Sequence, residues 1–219
     1  MRPRKFLKGE AVRFGWATTK SNIGFFVGLL IATWLLNIVS SIIANIVTIA
    51  AGIFIGAIFY IASYVLGIVV SIGLIKIPLR FCDNEKARFA DLFSHYHMFF
   101  KYLFGSILYV LIVFGGIILL IIPGIIWAIR FGCFGYLIVD KELGPVEALK
   151  KSFAITKGAT WDLFIFGLLL VGINLLGVLS LLVGLFVTIP TTMVATAYVY
   201  RRLLEKAEVA GVPAISYGV

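Results

Sequence analysis

Charged side chains are scarce in this chain: Asp, Glu, Lys and Arg together make up 13% of its 219 residues, against about 25% in soluble domains. That scarcity excludes a disordered, highly charged chain. Cysteine is nearly absent. Cys82 lies in a charged stretch and Cys133 in an apolar one, a poor arrangement for a disulfide, so both read as free thiols and a disulfide-stapled secreted domain is excluded. Catalytic signatures are missing as well: no Gly-x-Ser-x-Gly, His-Glu-x-x-His or phosphate-loop pattern occurs. His95 and His97 are two apart, on nearly opposite sides of a helix, and no carboxylate or cysteine completes a metal spacing, so no metal and no cofactor are expected.

What fills the chain instead is 62% hydrophobic residues, with a mean hydropathy of +1.10. Soluble domains sit at about 45 to 50% apolar. A 24.1 kDa globule could not cover that much apolar surface, so an ordinary soluble enzyme is excluded and the chain reads as an all-α, polytopic integral membrane protein forming a single transmembrane domain over 1–219. Its 19 Lys and Arg against 10 Asp and Glu give a net charge of +9. In a soluble domain that balance would raise nucleic-acid binding. In a membrane chain it marks the cytoplasmic side and meets anionic headgroups there, so membrane lipids are the expected partners and nucleic acid is not.

The gaps between charges count the spans. Ser21 to Ile75 holds no charged residue, Tyr102 to Val139 holds only Arg130, and Leu163 to Tyr200 holds none. A span needs about 20 residues at roughly 1.5 Å rise, so each stretch accommodates a hairpin. The expectation is six transmembrane helices as three hairpins: 23–75 with a turn near Ala44 to Thr48, 102–139 with Pro123 opening its second helix, and 163–200 with a turn near Val178 to Val183. Basic residues fall in 1–22, 76–101, 140–162 and 201–219, and the three turns opposite carry none. The positive-inside rule then places both termini in the cytoplasm. The apolar run after the basic start exceeds the roughly 7 to 15 residues of a signal h-region, so a retained anchor is expected rather than a cleaved signal.

Each hairpin is preceded by a segment that can form an amphipathic interfacial helix. In 76–101 the aromatic face is Phe89, Leu92, Phe93, Tyr96, Phe99 and Phe100, with Arg88, Asp91 and His95 away from it. In 140–162 the helix starts at Gly144-Pro145 and its face is Val146, Leu149 and Phe153, with Glu147 and Lys151 opposite. The first and third segments also align on each other without gaps. Glu10-Ala11-Val12-Arg13 through Trp16-Ala17 to Thr19-Lys20 matches Glu147-Ala148-Leu149-Lys150 through Phe153-Ala154 to Thr156-Lys157 at an offset of 137, which reads as a repeat. Trp16 and Trp161 sit where an aromatic belt is expected.

The run from Ile122-Pro123-Gly124-Ile125-Ile126 through Arg130 and Leu137-Ile138-Val139-Asp140 to Glu147-Ala148-Leu149-Lys150-Lys151-Ser152-Phe153 and Thr156-Lys157-Gly158 carries a resemblance. With Ile189-Pro190 and the Ala197-Tyr198-Val199-Tyr200-Arg201 exit, it resembles a group of uncharacterised six-span prokaryotic membrane proteins, the YciC-like and related families of unknown function. These are similar to the membrane domain fused to some glycerophosphodiester phosphodiesterases. The resemblance spans roughly Gly9 to Leu204. It implies six helices in a plasma membrane and no substrate, and the phosphodiesterase domain itself has no counterpart in the chain.

Five side chains stand out as candidate substrate- or lipid-binding residues: Arg130, Asn37, Asn174, Thr192 and Thr196. Arg130 is the only charge inside an expected span, ten residues or about 15 Å of helix before Asp140. A central Arg costs about 2.5 to 3.5 kcal/mol, so it reads either as a lipid-phosphate ligand or as a snorkelling anchor. Thr33, Asn37 and Ser41, and Thr188, Thr192 and Thr196, form stripes at four-residue spacing, and Asn174 stands alone between them. Such groups either hydrogen-bond across helices or line a polar path. Gly24 with Gly28, and Gly52 with Gly56, permit close helix approach, within the bundle or in a homo-oligomer. The spans lack the paired acid or nucleophile groups of intramembrane enzymes. The function expected is therefore non-enzymatic binding or organisation of lipids or partner proteins, with a small transporter of an amphiphilic substrate as the alternative.

Overall fold

A computed structural model describes residues 8–180 and 182–209. The basic residues Arg2, Arg4 and Lys5 and the far end of the 201–219 tail lie outside the described residues. No strand occurs among those described, which form α1 (Lys8–Ser21), α2 (Ile23–Ala51), α3 (Ile53–Cys82), α4 (Phe99–Leu119), α5 (Ile121–Phe131), α6 (Phe134–Lys141), α7 (Pro145–Ile155), α8 (Thr160–Leu179) and α9 (Leu185–Val209). The all-helical reading holds. Five stretches are long and apolar enough to cross a membrane: α2, α3, Phe89–Leu119, Ile121–Lys141 and α8. The expected sixth, α9, does not reach that standard. Its threonines, Pro190 and the Arg201-Arg202 pair dilute its apolar residues, and it is also the helix with the most buried residues, packed by α1, α2, α3, α7 and α8. A helix enclosed by protein needs no lipid-facing surface.

The first hairpin is longer than expected, because its turn is not at Ala44 to Thr48. Helix α2 runs on to Ala51 and a single residue, Gly52 at φ +85°, reverses the chain into α3. Only glycine adopts that backbone without strain. Beside it Gly56 packs on Thr48, the Tyr60 hydroxyl donates to Asn45 Oδ1 at 2.8 Å, and the Ser63 hydroxyl reaches the Ser40 carbonyl. The second hairpin turns at Leu120 in an extended conformation, with Pro123 in the first turn of α5 as expected and Gly116 against Gly124. The helix after that turn is not continuous: it breaks at Gly132 and Cys133 into α5 and α6.

The connection 83–98 departs from the expected amphipathic helix. It forms two short 3-10 turns, Phe89–Leu92 and Tyr96–Met98. Asp91, expected to face away, is buried instead. Its carboxylate accepts from the Arg88 backbone N–H at 2.7 Å and pairs with Arg80 at 3.2 Å, and Leu92 seats on Gly73. That carboxylate pins the segment across the end of α3, leaving Phe89, Phe93, Tyr96 and Phe100 exposed. Helix α7 begins at Pro145 as expected, but its buried face is Ala148, Leu149, Ser152 and Ile155. Val146 and Phe153 are turned outward. Hydrophobicity alone selected the larger side chains, whereas helix contacts inside a membrane favour small ones.

Candidate functional site

Between α2, α3, α4 and the start of α9 lies an open groove of about 1160 Å³. The middles of α2 and α3 form one wall, where Thr33, Asn37, Gly67 and Ser71 face the opening. The first half of α4, from Tyr102 to Leu111, and the residues from Leu182 to Ile189 form the other. Among the described residues no charged side chain lines it. Its apolar rim is exposed: Trp34, Tyr64, Val110 and Leu111 are each at least 60% accessible.

The polar groups of the stripes are mostly satisfied within their own helices. Thr33 donates to the Leu30 carbonyl, Asn37 Nδ2 to Thr33, Ser41 to Asn37 and Asn45 to Ser41, and Ser71 bonds Gly67. On α9 Thr191, Thr192 and Thr196 donate to Val187, Ile189 and Thr192. Of the five candidates, only two are brought together: Asn174 Nδ2 lies 3.4 Å from the Thr192 hydroxyl, joining α8 to α9. Asn37 lines the groove by itself. Thr196 bonds back along α9.

Arg130 is elsewhere. Its guanidinium lies over the Phe153 ring, 3.4 Å from the centroid, while its carbonyl accepts the Ser152 and Thr156 hydroxyls at 2.8 and 3.1 Å. This is where α5 ends, and the Ser152 hydroxyl also receives the Cys133 backbone N–H at 3.1 Å, bridging the break. A carbonyl and an amide freed by an interrupted helix thus find partners on α7.

A charge cluster was not singled out from the sequence. Asp140, whose side chain is 7% exposed, accepts from Arg201 Nη1 at 2.7 Å and from the Tyr200 hydroxyl at 2.9 Å, and Arg201 Nη2 also pairs with Asp83. The cluster ties together α3, α6 and α9. Both Asp140 and Arg201 stand in the segments that carry the family resemblance, which was the available signal. Cys82 and Cys133 are free, as expected. Among the described residues no group of three or more His, Cys, Asp or Glu could hold a metal ion.

Fold and site define an all-helical chain with five helices able to cross a membrane and an uncharged groove between them. The family described as protein of unknown function (DUF975) matches residues 105–207, from α4 to near the end of α9 and a little under half of the chain. That match supports an uncharacterised family and covers the Asp140–Arg201 pair and the α5–α6 break. It carries neither the YciC-like nor the phosphodiesterase-domain likeness. No curated protein and no solved structure matches the chain.

Proposed function

We propose that the chain is a non-enzymatic integral membrane protein that binds lipid in the groove between α2, α3, α4 and α9. The observation that carries this reading is the groove itself: about 1160 Å³, larger than the roughly 300 to 1,000 Å³ of sites for drug-sized ligands, apolar in its rim and uncharged throughout. In this reading α9 is a sixth span, screened from lipid by its neighbours, and the basic loops face the cytoplasm of a plasma membrane, where they meet anionic headgroups. A transport path would need polar groups free to exchange partners along its length. The stripe on α2 and, on α9, Thr192 and Thr196 instead bond their own helix carbonyls, with Thr188 left without a partner, which favours holding a lipid over passing one.

The test is native mass spectrometry of the protein in mild detergent, with identification of retained lipid, on wild type, Gly67→Phe and Arg130→Gln. A Cβ at Gly67 meets nothing within 4 Å, so a phenylalanine there projects into the groove and obstructs it. The expected outcome is lipid retained by wild type and by Arg130→Gln and lost from Gly67→Phe. Retention unchanged in Gly67→Phe overturns the groove, and loss only in Arg130→Gln moves the site to Arg130.

A further inference from the structure

The polar atoms of the groove narrow what it holds. Asn37 lies midway along α2, and its Nδ2 donates to the Thr33 carbonyl at 2.8 Å. Its Oδ1 has no partner among the described residues, and neither do the hydroxyls of Tyr64 and Ser106, which line the same groove from α3 and α4. An amide oxygen without a donor is costly away from water. A carboxamide acceptor and two hydroxyls are suited to an uncharged, hydroxyl-bearing group. They are unsuited to a phosphate: among the described residues no Lys, Arg or His lines the groove, so an anion drawn into it would be desolvated without a counter-charge. The position argues the same way. A phospholipid's phosphate is anchored in the headgroup layer, at the edge of a hydrocarbon core about 30 Å thick, whereas a free hydroxyl on a lipid without a charged headgroup is not held there and can reach mid-helix.

We infer that the groove's occupant is a neutral two-chain lipid bearing a free hydroxyl, of the diacylglycerol class, with that hydroxyl donating to Asn37 Oδ1 and its chains along Ile107, Val110 and Leu111. This rests on the reading of the groove as a lipid site and adds the class of lipid. The volume leaves room for more than one acyl chain, and the exposed rim admits a lipid sideways from the bilayer.

The experiment uses the full chain in phosphatidylcholine nanodiscs, titrated with a photoreactive diacylglycerol or a photoreactive phosphatidylglycerol of the same chain length. Cross-linked peptides are mapped by mass spectrometry for wild type, Gly67→Phe, Asn37→Leu with Ser106→Ala, and the milder Tyr64→Phe. The diacylglycerol probe is expected to label peptides of α2, α3 and α4 with at least about fivefold higher apparent affinity than the anionic probe. Asn37→Leu with Ser106→Ala should remove that preference, a loss of roughly fivefold for one neutral hydrogen bond, while both probes still label the groove. Tyr64→Phe should lose part of it. Equal or tighter phosphatidylglycerol binding by wild type overturns the neutral class and leaves the groove as a lipid site. A preference that persists in both polar-group variants overturns it in the same way. Labelling of the groove by neither probe, or labelling undiminished in Gly67→Phe, overturns the groove itself and the inference with it.

Discussion

Helices α1 and α7 are docked by the same three positions, and the difference between them lies in what those positions do. Ala11, Gly15 and Thr19 are the buried residues of α1, and Ala148 and Ser152 on α7, with Thr156 just past its end, are buried at the offset of 137 seen in the sequence. The two sets meet different partners: one a broken helix, the other a continuous helix that contains a proline. Helix α7 lies against the α5–α6 break, and α1 lies against α9 next to Pro190, where a Cβ on Gly15 would sit 2.4 Å from the Thr191 carbonyl oxygen. On α7 the hydroxyls work: Ser152 and Thr156 bind Arg130 and Cys133. On α1 the middle position has no side chain, and the Thr19 hydroxyl is buried without a partner. One copy of the motif holds by hydrogen bonds and the other by close approach of two backbones, the two means of joining helices where lipid removes the hydrophobic drive.

The largest effect is expected from breaking the close approach. Gly15→Leu puts a side chain into a backbone carbonyl and the Ala195 Cβ, and neither can give way without moving α9. Overpacking of this kind costs about 1 to 3 kcal/mol and more where backbone is the obstacle. Gly15→Leu is therefore expected to lower the thermal midpoint in detergent sharply or to prevent a monodisperse peak on size exclusion. A Gly15→Leu protein as stable as wild type would mean that α1 is not seated on α9 in this way.

Next comes the ion pair that joins α6 to α9. Asp140 at the end of α6, shortly before α7, holds Arg201 on α9, the helix that carries α1. Asp140→Asn removes the charge from a nearly buried pair, and loss of one partner of such a pair costs about 3 to 5 kcal/mol where both are buried. Arg201 keeps Asp83 and is 21% exposed, so about 2 kcal/mol is expected here, read as a fall in thermal midpoint that the double variant Asp140→Asn with Arg201→Gln partly restores. A double variant less stable than either single one removes the coupling. Smaller again is Ser152→Ala, which leaves the Arg130 carbonyl to Thr156 and the Cys133 N–H unpaired. Intramembrane hydrogen bonds average about 0.6 kcal/mol, so a loss near 1 kcal/mol is expected, with faster amide exchange at Cys133 as the specific readout.

These contrasts also mark what was legible. Composition and charge spacing led to the all-helical architecture and the long apolar helices, because lipid forces every backbone group to be satisfied within helices. The 137-residue offset located α1 and α7, and Pro145 marked the start of α7. The buried face of α7 was not legible, since ranking by hydrophobicity favours Val146 and Phe153 over Ser152. The break at Gly132 and Cys133 was hidden because its unpaired groups are satisfied from α7, across 19 residues of sequence. Asp91 and the Asp140–Arg201–Asp83 cluster escaped for the same reason: a carboxylate in a loop looks solvated until its partner, on another element, is placed beside it. The groove depends on how α2, α3, α4 and α9 are brought together, which no local pattern encodes, and of the five candidates only Asn37 faces it.

The smallest effect is the sharpest test of the comparison, because it predicts opposite signs at equivalent positions. Thr19 and Thr156 occupy the same place in the two copies and are both fully buried. Thr156 Oγ1 lies within reach of the Arg130, Ser152 and Phe153 carbonyls at 3.1, 2.8 and 3.3 Å. Thr156→Val removes those bonds and should cost about 1 kcal/mol. Thr19→Val replaces a hydroxyl that bonds nothing among the described residues with a methyl of similar size, and replacing an unsatisfied polar group by an apolar one of the same shape is neutral or stabilising. The thermal midpoint should therefore fall by a few degrees for Thr156→Val and stay level or rise for Thr19→Val. Equal losses at both sites would mean that Thr19 has a donor's role on α9 after all, and that the two copies are held in the same way.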